Sequence, residues 1–385
     1  MNSVLVSRRT VSVAFGFVLM AALCAGAQQG GPPQLAGKTA EQAYQNIQVL
    51  KGVPAEQVVP AMRVIAGSLG VGCAFCHVQG QFDKDDKATK KTARLMMTMM
   101  MDINKNSFAG RQQVTCFTCH NRSNEPASTM AFAELTATAM QAPAGVPAAE
   151  GAAPQGPSVD QILASYVQAL GGEQAIRKVT SRTITATRDV PGGGGGAPGQ
   201  AQIEEYHKAP NVTAAIVHAP NGATTATGFD GTTGWTQDAK GAVKDLTETD
   251  EARAARGSDL YEALNLSQEY GSLNARGTAK VGDHDAYVVV GVPQGDQPER
   301  LFFDTKTGLL LRKITVMPTP VGNLPTQVDY DDYRDTGSGV KAPFLIRVSN
   351  APDNRVTTRV QKVQDNAPID SGKLAKPAPK AAPAQ

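Results

Sequence analysis

Two nearly identical phrases constrain this chain more than anything else in it: "GCAFCHVQG", with Cys73, Cys76 and His77, and "VTCFTCHNR", with Cys116, Cys119 and His120. Five cysteines occur in 385 residues and four of them lie in these phrases. Cysteine pairs at this spacing serve disulfides, zinc, thiol redox chemistry or covalent haem attachment. A histidine directly after both pairs, in a chain with five histidines, selects the last, because C-x-x-C-H is the attachment signature of c-type haem. The two thiols add across the haem vinyl groups and the next residue offers its imidazole to the iron. Two disulfides would leave both histidines without a role. The 39 residues between Cys76 and Cys116 also exceed the usual zinc-ribbon gap of about 15–20. Two covalent haem c groups, each with its iron, are therefore expected.

The fifth cysteine, Cys24, lies in a segment with the order of a secretory signal. A basic "SRRT" precedes the apolar "VSVAFGFVLMAALCAGA", and an A-x-A site ends at Ala27. Export to the periplasm with cleavage near Ala27 is expected, with membrane association as the variant in which the segment is kept.

An iron used for electron transfer commonly has two protein ligands. His207, His218 and His284 all lie beyond residue 200, so methionine is the expected sixth ligand in the N-terminal part. Met62 lies in "VVPAMRVIAGSLGVGCAFCH", where Val59, Met62, Ile65, Ala66 and Leu69 recur at helical spacing between a Pro60 start and a Gly70 stop. A second helix is expected over "DDKATKKTARLMMTMMMDIN", capped by Asp86, with basic residues outward and Met96, Met99, Met100 and Ile103 on one apolar face. Met97 and Met101 fall to packing or surface.

Residues 38–125 resemble the cytochrome c subunit of photosynthetic reaction centres. The resemblance rests on "S-L-G-V-x-C-x-x-C-H", on the "A-R-x-M-x-x-M" helix and on "VTCFTCHNR". It implies that Met62 is the ligand opposite His77 and Met96 the ligand opposite His120, with Met99 as the near alternative. The family subunit carries four haems in two pairs, whereas this chain has one pair, so a shortened di-haem relative is implied.

Beyond residue 130 the composition changes. An Ala/Pro/Gly-rich linker is expected over 131–157, a β-rich domain over 158–366, and a disordered tail over 367–385. "VDQILASYVQALGG" reads as a helix. Ten short β-rich runs follow, from "SRTITATRDV" to "RVTTRVQKV", with a helical interruption at "GSDLYEALNLSQEYGSL". The five-glycine run at 192–196 reads as a hairpin loop. The fold class is thus α + β with two domains: a small all-α multihaem cytochrome c domain, then an antiparallel sheet curled around a helix. This second half resembles the incomplete β-barrel of periplasmic lipoprotein-sorting proteins, which implies an apolar cavity and an apolar ligand.

The aspartates of "VDYDDYRD" read as a solvated strand face, lacking the glycine and glutamate of a calcium loop. The three distant histidines read as ordinary strand or turn residues. A net charge of +2 points to no nucleic acid. No nucleophile-elbow serine or free acid-base histidine is visible in the haem part, so no catalytic residue is expected. The expected function is electron transfer between redox proteins of the periplasm or membrane surface. The alternatives are a peroxidase-like di-haem enzyme with one open iron, and a haem-based redox sensor.

Overall fold

The computed structural model describes residues 35, 37–126, 156–190, 199–293, 296–351 and 354–378. The expected signal segment with Cys24, nearly all of the linker, the 192–196 glycine run and the last seven residues lie outside the described residues.

The N-terminal part is helical: α1 (Ala40–Ala43), α2 (Val58–Leu69), α3 (Ala88–Ser107) and α4 (Cys116–His120). Pro60 sits in the first turn of α2, where its missing N–H has no intrahelical acceptor to satisfy. Gly70 closes the helix in the left-handed region at φ 67. Val58, Ala61, Val64, Ile65 and Ser68 form its buried stripe.

Helix α3 departs from expectation in three ways. It starts at Ala88, with Lys87 rather than Asp86 at the cap position. Asp85 instead pairs with Lys90 at 3.0 Å and Arg94 at 2.7 Å. Lys90 does not point outward: it is buried and its ammonium donates to the carbonyls of Phe82, Asp83 and Lys84 at 2.9, 3.0 and 2.7 Å. Carbonyls of an irregular loop have no ladder partner, and an ammonium supplies three donors. Finally, the buried stripe is Lys90, Met97, Met100 and Asn104, while Met96 and Met99 are exposed. Met97 therefore takes the core position expected for Met96. Met100 lies in the core rather than beside Met96 and Met99.

The second part is one thirteen-stranded sheet, all neighbours antiparallel: β1 (Ser181–Val190), β2 (Gly199–Lys208), β3 (Val212–His218), β4 (Thr224–Asp230), β5 (Gly234–Gln237), β6 (Val243–Asp245), β7 (Tyr270–Val281), β8 (His284–Pro293), β9 (Glu299–Asp304), β10 (Leu310–Thr319), β11 (Gly322–Asp335), β12 (Lys341–Ala351) and β13 (Asn354–Asp365). The spatial order runs from β6 down to β1, then from β13 down to β7. Two meanders thus join where the first strand meets the last. Helices α7 (Glu248–Gly257) and α8 (Glu262–Glu269) connect β6 and β7, the two outer strands. Together with α5 (Val159–Ala169) and α6 (Glu173–Lys178), α8 supplies Ile162, Tyr166, Ile176 and Leu266 to a core shared with Val289, Phe303, Tyr330 and Ile346 of the sheet. The sheet curls around helices as expected.

Three strands exceed the ten expected. Strands β5 and β6 are only four and three residues long. Strand β7 is an edge with buried residues at its two ends and an exposed middle, so it lacks the period-2 alternation that marks a half-buried strand. The tail also differs from expectation. Helix α9 (Ser371–Leu374) buries Leu374 against Trp235, Ala214 and Ala226, and Lys373 pairs with Glu204 at 3.0 Å. An apolar residue with a pocket to fill offsets the ordering entropy of a short segment. Three of the four aspartates of β11 are ion-paired: Asp329 with Arg312 at 2.5 Å, Asp331 with Arg347 at 3.1 Å and Asp332 with Arg334 at 2.5 Å, while Asp335 accepts from the N–H groups of Gly337 and Gly339.

Two acids, Asp259 in the α7–α8 connection and Glu269 at the end of α8, make stability fall with rising pH. Burial pushes the Asp259 carboxyl up to about 8, and its Oδ2 has no hydrogen-bond partner. Burial and the nearby Asp259 also push Glu269 to about 8. Each is ionised in the unfolded chain above about pH 4, so between pH 4 and 8 the folded state holds more protons than the unfolded one. Stability from these groups is then complete below pH 4 and is lost as pH rises to 8. Thermal melting of the sheet is expected to drop by more than about 10 °C from pH 5 to pH 8, and Asp259→Asn should flatten that drop.

Candidate haem sites

The first attachment motif follows α2 directly. Val71 N–H donates back to the Ala66 carbonyl at 3.1 Å, and Cys73–Phe75 form a single tight turn in which His77 N–H donates to the Cys73 carbonyl at 3.0 Å. That turn is tied to the start of α3: Lys87 Nζ donates to the Ala74 carbonyl, and Thr89 Oγ1 donates to the Phe75 carbonyl at 2.7 Å. The second motif is α4 itself. Thr115 precedes it and donates its N–H to Thr118 Oγ1 at 3.0 Å, while Asn121 and Arg122 leave it in the left-handed region at φ 43 and 69.

Both histidines are held in the same way. His77 Nδ1 lies 3.0 Å from the Phe82 carbonyl oxygen, and His120 Nδ1 lies 2.9 Å from the Ser123 carbonyl oxygen. A carbonyl only accepts, so each Nδ1 carries the hydrogen and each Nε2 keeps its lone pair for a metal. Burial pushes the His77 imidazole down, toward its neutral ligating form, and pushes the Cys76 and Cys116 thiols up. All four cysteines are free, and among the described residues no three His, Cys, Asp or Glu side chains converge as a metal cage.

The surface around the motifs fits a large flat apolar group. Nine large apolar side chains are exposed among the described residues, and seven of them belong to the helical part: Val59, Phe75, Phe82, Leu95, Met96, Met99 and Phe117. Such a concentration on one small body marks a surface made to be covered. Met62 is half-buried and packs against the cluster that includes Cys116. Met96 and Met99, three residues apart on the outward apolar face of α3, both have free surface. Met97 and Met100 are occupied in the core, and Asn104 Nδ2 donates to Met100 Sδ at 3.2 Å.

The two motifs are stapled together. Arg122 N–H donates to the Ser68 carbonyl at 2.8 Å, and a Cβ on Gly70 would lie 2.4 Å from the Arg122 oxygen. Only glycine permits that approach. Gly70 is three residues before Cys73 and Arg122 two after His120, so the motifs lie within roughly 25 Å of each other.

Sequence reasoning missed Asn104, although a polar residue in phase with Met97 and Met100 was the available signal. It is buried, accepts from the N–H groups of Gln113 and Val114 at 3.0 and 2.9 Å, and donates to the Val114 carbonyl at 2.7 Å. It thereby fixes the approach to Cys116. Asn104→Ala is expected to cost about 2–3 kcal/mol by stranding these groups. Denaturation followed by haem absorption should report the loss, while fluorescence of Trp235, the chain's single tryptophan in β5, stays at its wild-type midpoint.

Residues 24–187 match the family described as the photosynthetic reaction centre cytochrome C subunit. The N-terminal part of the chain resembles that subunit. The photosynthetic reaction center cytochrome c subunit of Thermochromatium tepidum is 33% identical over 94 residues, covering 23% of each chain. Cytochrome c-554 of Chloroflexus aurantiacus is 35% identical over 82 residues, covering 20% of each. The chain thus spans less than a quarter of the length of these relatives, and the likeness is that of a c-type cytochrome module. Solved structures similar to the rest of the chain include a DUF1329 family protein from Desulfovibrio piger, with TM-score 0.42, 12% identity and coverage of 57% of this chain and 98% of the other. A LolA superfamily protein from Nitrosomonas europaea has TM-score 0.40, 12% identity and coverage of 57% and 99%.

Proposed function

We propose that this protein is an exported di-haem c-type cytochrome that passes electrons between redox proteins. In this reading one haem c is attached through Cys73 and Cys76 with His77 on its iron, and the other through Cys116 and Cys119 with His120 on its iron. Met62 and Met96 are the opposite ligands, with Met99 in reach of the same face as Met96. The haem part spans 28–130, the linker 131–157 and the sheet domain 158–366.

The observation that carries the reading is the paired histidine geometry: each Nδ1 is spent on a main-chain carbonyl, which orients the ring and leaves Nε2 for a metal beside two free thiols. When bound, haem supplies a one-electron couple whose potential its axial ligands and surroundings set. The protein's own part is to hold the two imidazoles, to offer thioethers from α2 and α3, and to cover the macrocycles with Phe75, Phe82 and Phe117. Thioether and imidazole would together hold each iron, and a site with no open position would favour outer-sphere transfer over chemistry at the iron.

The sheet domain serves in this reading as a platform for the haem part and its partners. One cavity in it, lined by Tyr166, Tyr261, Tyr330 and Tyr333, holds about 40 Å³, and in this reading the domain binds a partner or an apolar ligand. Among the described residues no helix is long and apolar enough to cross a membrane.

The test is an absorption spectrum of the oxidised exported protein with a redox titration. Two one-electron transitions, with the weak far-red band of methionine bound to ferric iron, are expected. A high-spin spectrum that binds added cyanide or peroxide would point instead to an enzyme with an open iron.

A further inference from the structure

Hairpin tips are ordinarily exposed and polar, yet the β10–β11 hairpin ends in "TPVGNL", and its tip is buried in the helical part. Val321 is 0% exposed and Leu324 4% exposed, in one cluster with Ala61, Val64, Met97 and Met100. Gln112 Nε2 donates to the Thr319 carbonyl at 3.2 Å. Gly322 has φ +140, and a Cβ there would lie 3.1 Å from Val64 Cγ1 and 3.5 Å from Thr115 Cγ2. Thr115 is the residue that opens α4, the turn carrying Cys116, Cys119 and His120. The approach to that turn is thus gripped by Asn104 of α3 and by the sheet hairpin.

We infer that the tip of the β10–β11 hairpin is part of the seat of the second haem, with Val321 and Gly322 as positioning residues, so that the sheet domain and the reduction state of that haem are coupled. This rests on the reading of Cys116–His120 as a haem site. The hairpin also meets α2 through Val64, and α2 leads into the first motif, but the turn of that motif is held separately by Lys87 and Thr89 at the start of α3, so the smaller effect is expected there. Coupling is reciprocal: if displacing the hairpin changes the haem's reduction equilibrium, reduction changes the hairpin's stability by the same factor.

The test is a redox titration of Gly322→Ala beside Gly337→Ala. Gly337 also has positive φ, at +90, in another turn of the same sheet, but a Cβ there meets nothing within 4 Å. Haem staining of each protein first establishes that both haems are attached, which separates failure of the underlying reading from failure of the inference. Gly322→Ala is expected to change the reduction equilibrium of the second haem three- to tenfold, up to about 59 mV for a one-electron couple, and to change that of the first haem less. The same shift should persist when Cys73 and Cys76 are both alanine and only the second haem remains. Gly337→Ala should move neither potential. Should Gly322→Ala fail to fold, hydrogen exchange of wild-type residues 319–324 takes its place, with protection expected to differ between oxidised and reduced protein while residues 336–340 stay unchanged. Equal shifts of both potentials, no shift in either, or exchange independent of redox state overturns the inference.

Discussion

Replacing Met62 by histidine is expected to lower one of two midpoint potentials by on the order of 0.1 V, a fraction of the roughly 0.8 V that axial ligands span. Met96→His should do the same to the other. A thioether favours ferrous iron more than an imidazole does, so exchanging one for the other stabilises the oxidised state. Each change should also remove about half of the far-red methionine band. The positions of the side chains make the controls sharp. Met97 and Met100 face the core and are already packed, so Met97→Leu should leave both potentials in place. Met96 and Met99 share the exposed face, so a shift from Met99→His with none from Met96→His would assign the ligand one turn further along α3.

The second large effect is expected where the sheet is joined. Arg182 of β1 and Asp365 of β13 are each 2% exposed at the side chain and form a two-point ion pair, with Arg182 Nη2 donating to Asp365 Oδ2 at 2.8 Å. Ser338 and Thr336 hydroxyls donate to the same oxygen at 2.6 and 2.5 Å. Burial alone would raise the Asp365 carboxyl. The guanidinium and the two hydroxyls outweigh it and hold the group below its ordinary value. The stability it contributes is present above the unfolded pKa and is lost as pH falls through the lower folded value. Asp365→Ala leaves a buried guanidinium without its carboxylate, which is expected to cost about 3–5 kcal/mol. In a domain of this size that is on the order of 10 °C in melting temperature, read from Trp235 fluorescence. Replacing both Arg182 and Asp365 by apolar residues should recover much of the loss, since two desolvated charges then leave together.

What the sequence disclosed follows the range of each interaction. The C-x-x-C-H signature is local, so the proposed attachment residues Cys73, Cys76 and His77 and their counterparts at 116–120 stand out within five residues each. Helix α2 was legible as a helix ending at Gly70, but the expected set of Val59, Met62, Ile65, Ala66 and Leu69 shares only Ile65 with the buried stripe of Val58, Ala61, Val64, Ile65 and Ser68, and Val59 is exposed. Helix α3 was legible as a helix but not in phase, because methionines at 96, 97, 99, 100 and 101 place a thioether on almost every side. Only packing against Leu50, Ile65 and Val321 selects Met97 and Met100 for the core. The buried ammonium of Lys90 was hidden for the same reason, since the carbonyls that bind it come from a loop of no regular pattern. The docking of Val321 against Val64 spans more than 250 residues of chain, and nothing in "TPVGNL" names its partner. The fold class was therefore readable, while the packing of the β10–β11 hairpin against α2 was not.

The central claim is that one polypeptide carries two covalent haems, one per motif. Intact mass of the exported protein under denaturing conditions tests this directly. The account predicts the mature chain plus two haem masses, falling by one haem in Cys73→Ala/Cys76→Ala and by one in Cys116→Ala/Cys119→Ala. A wild-type protein that carries one haem, or none, contradicts it.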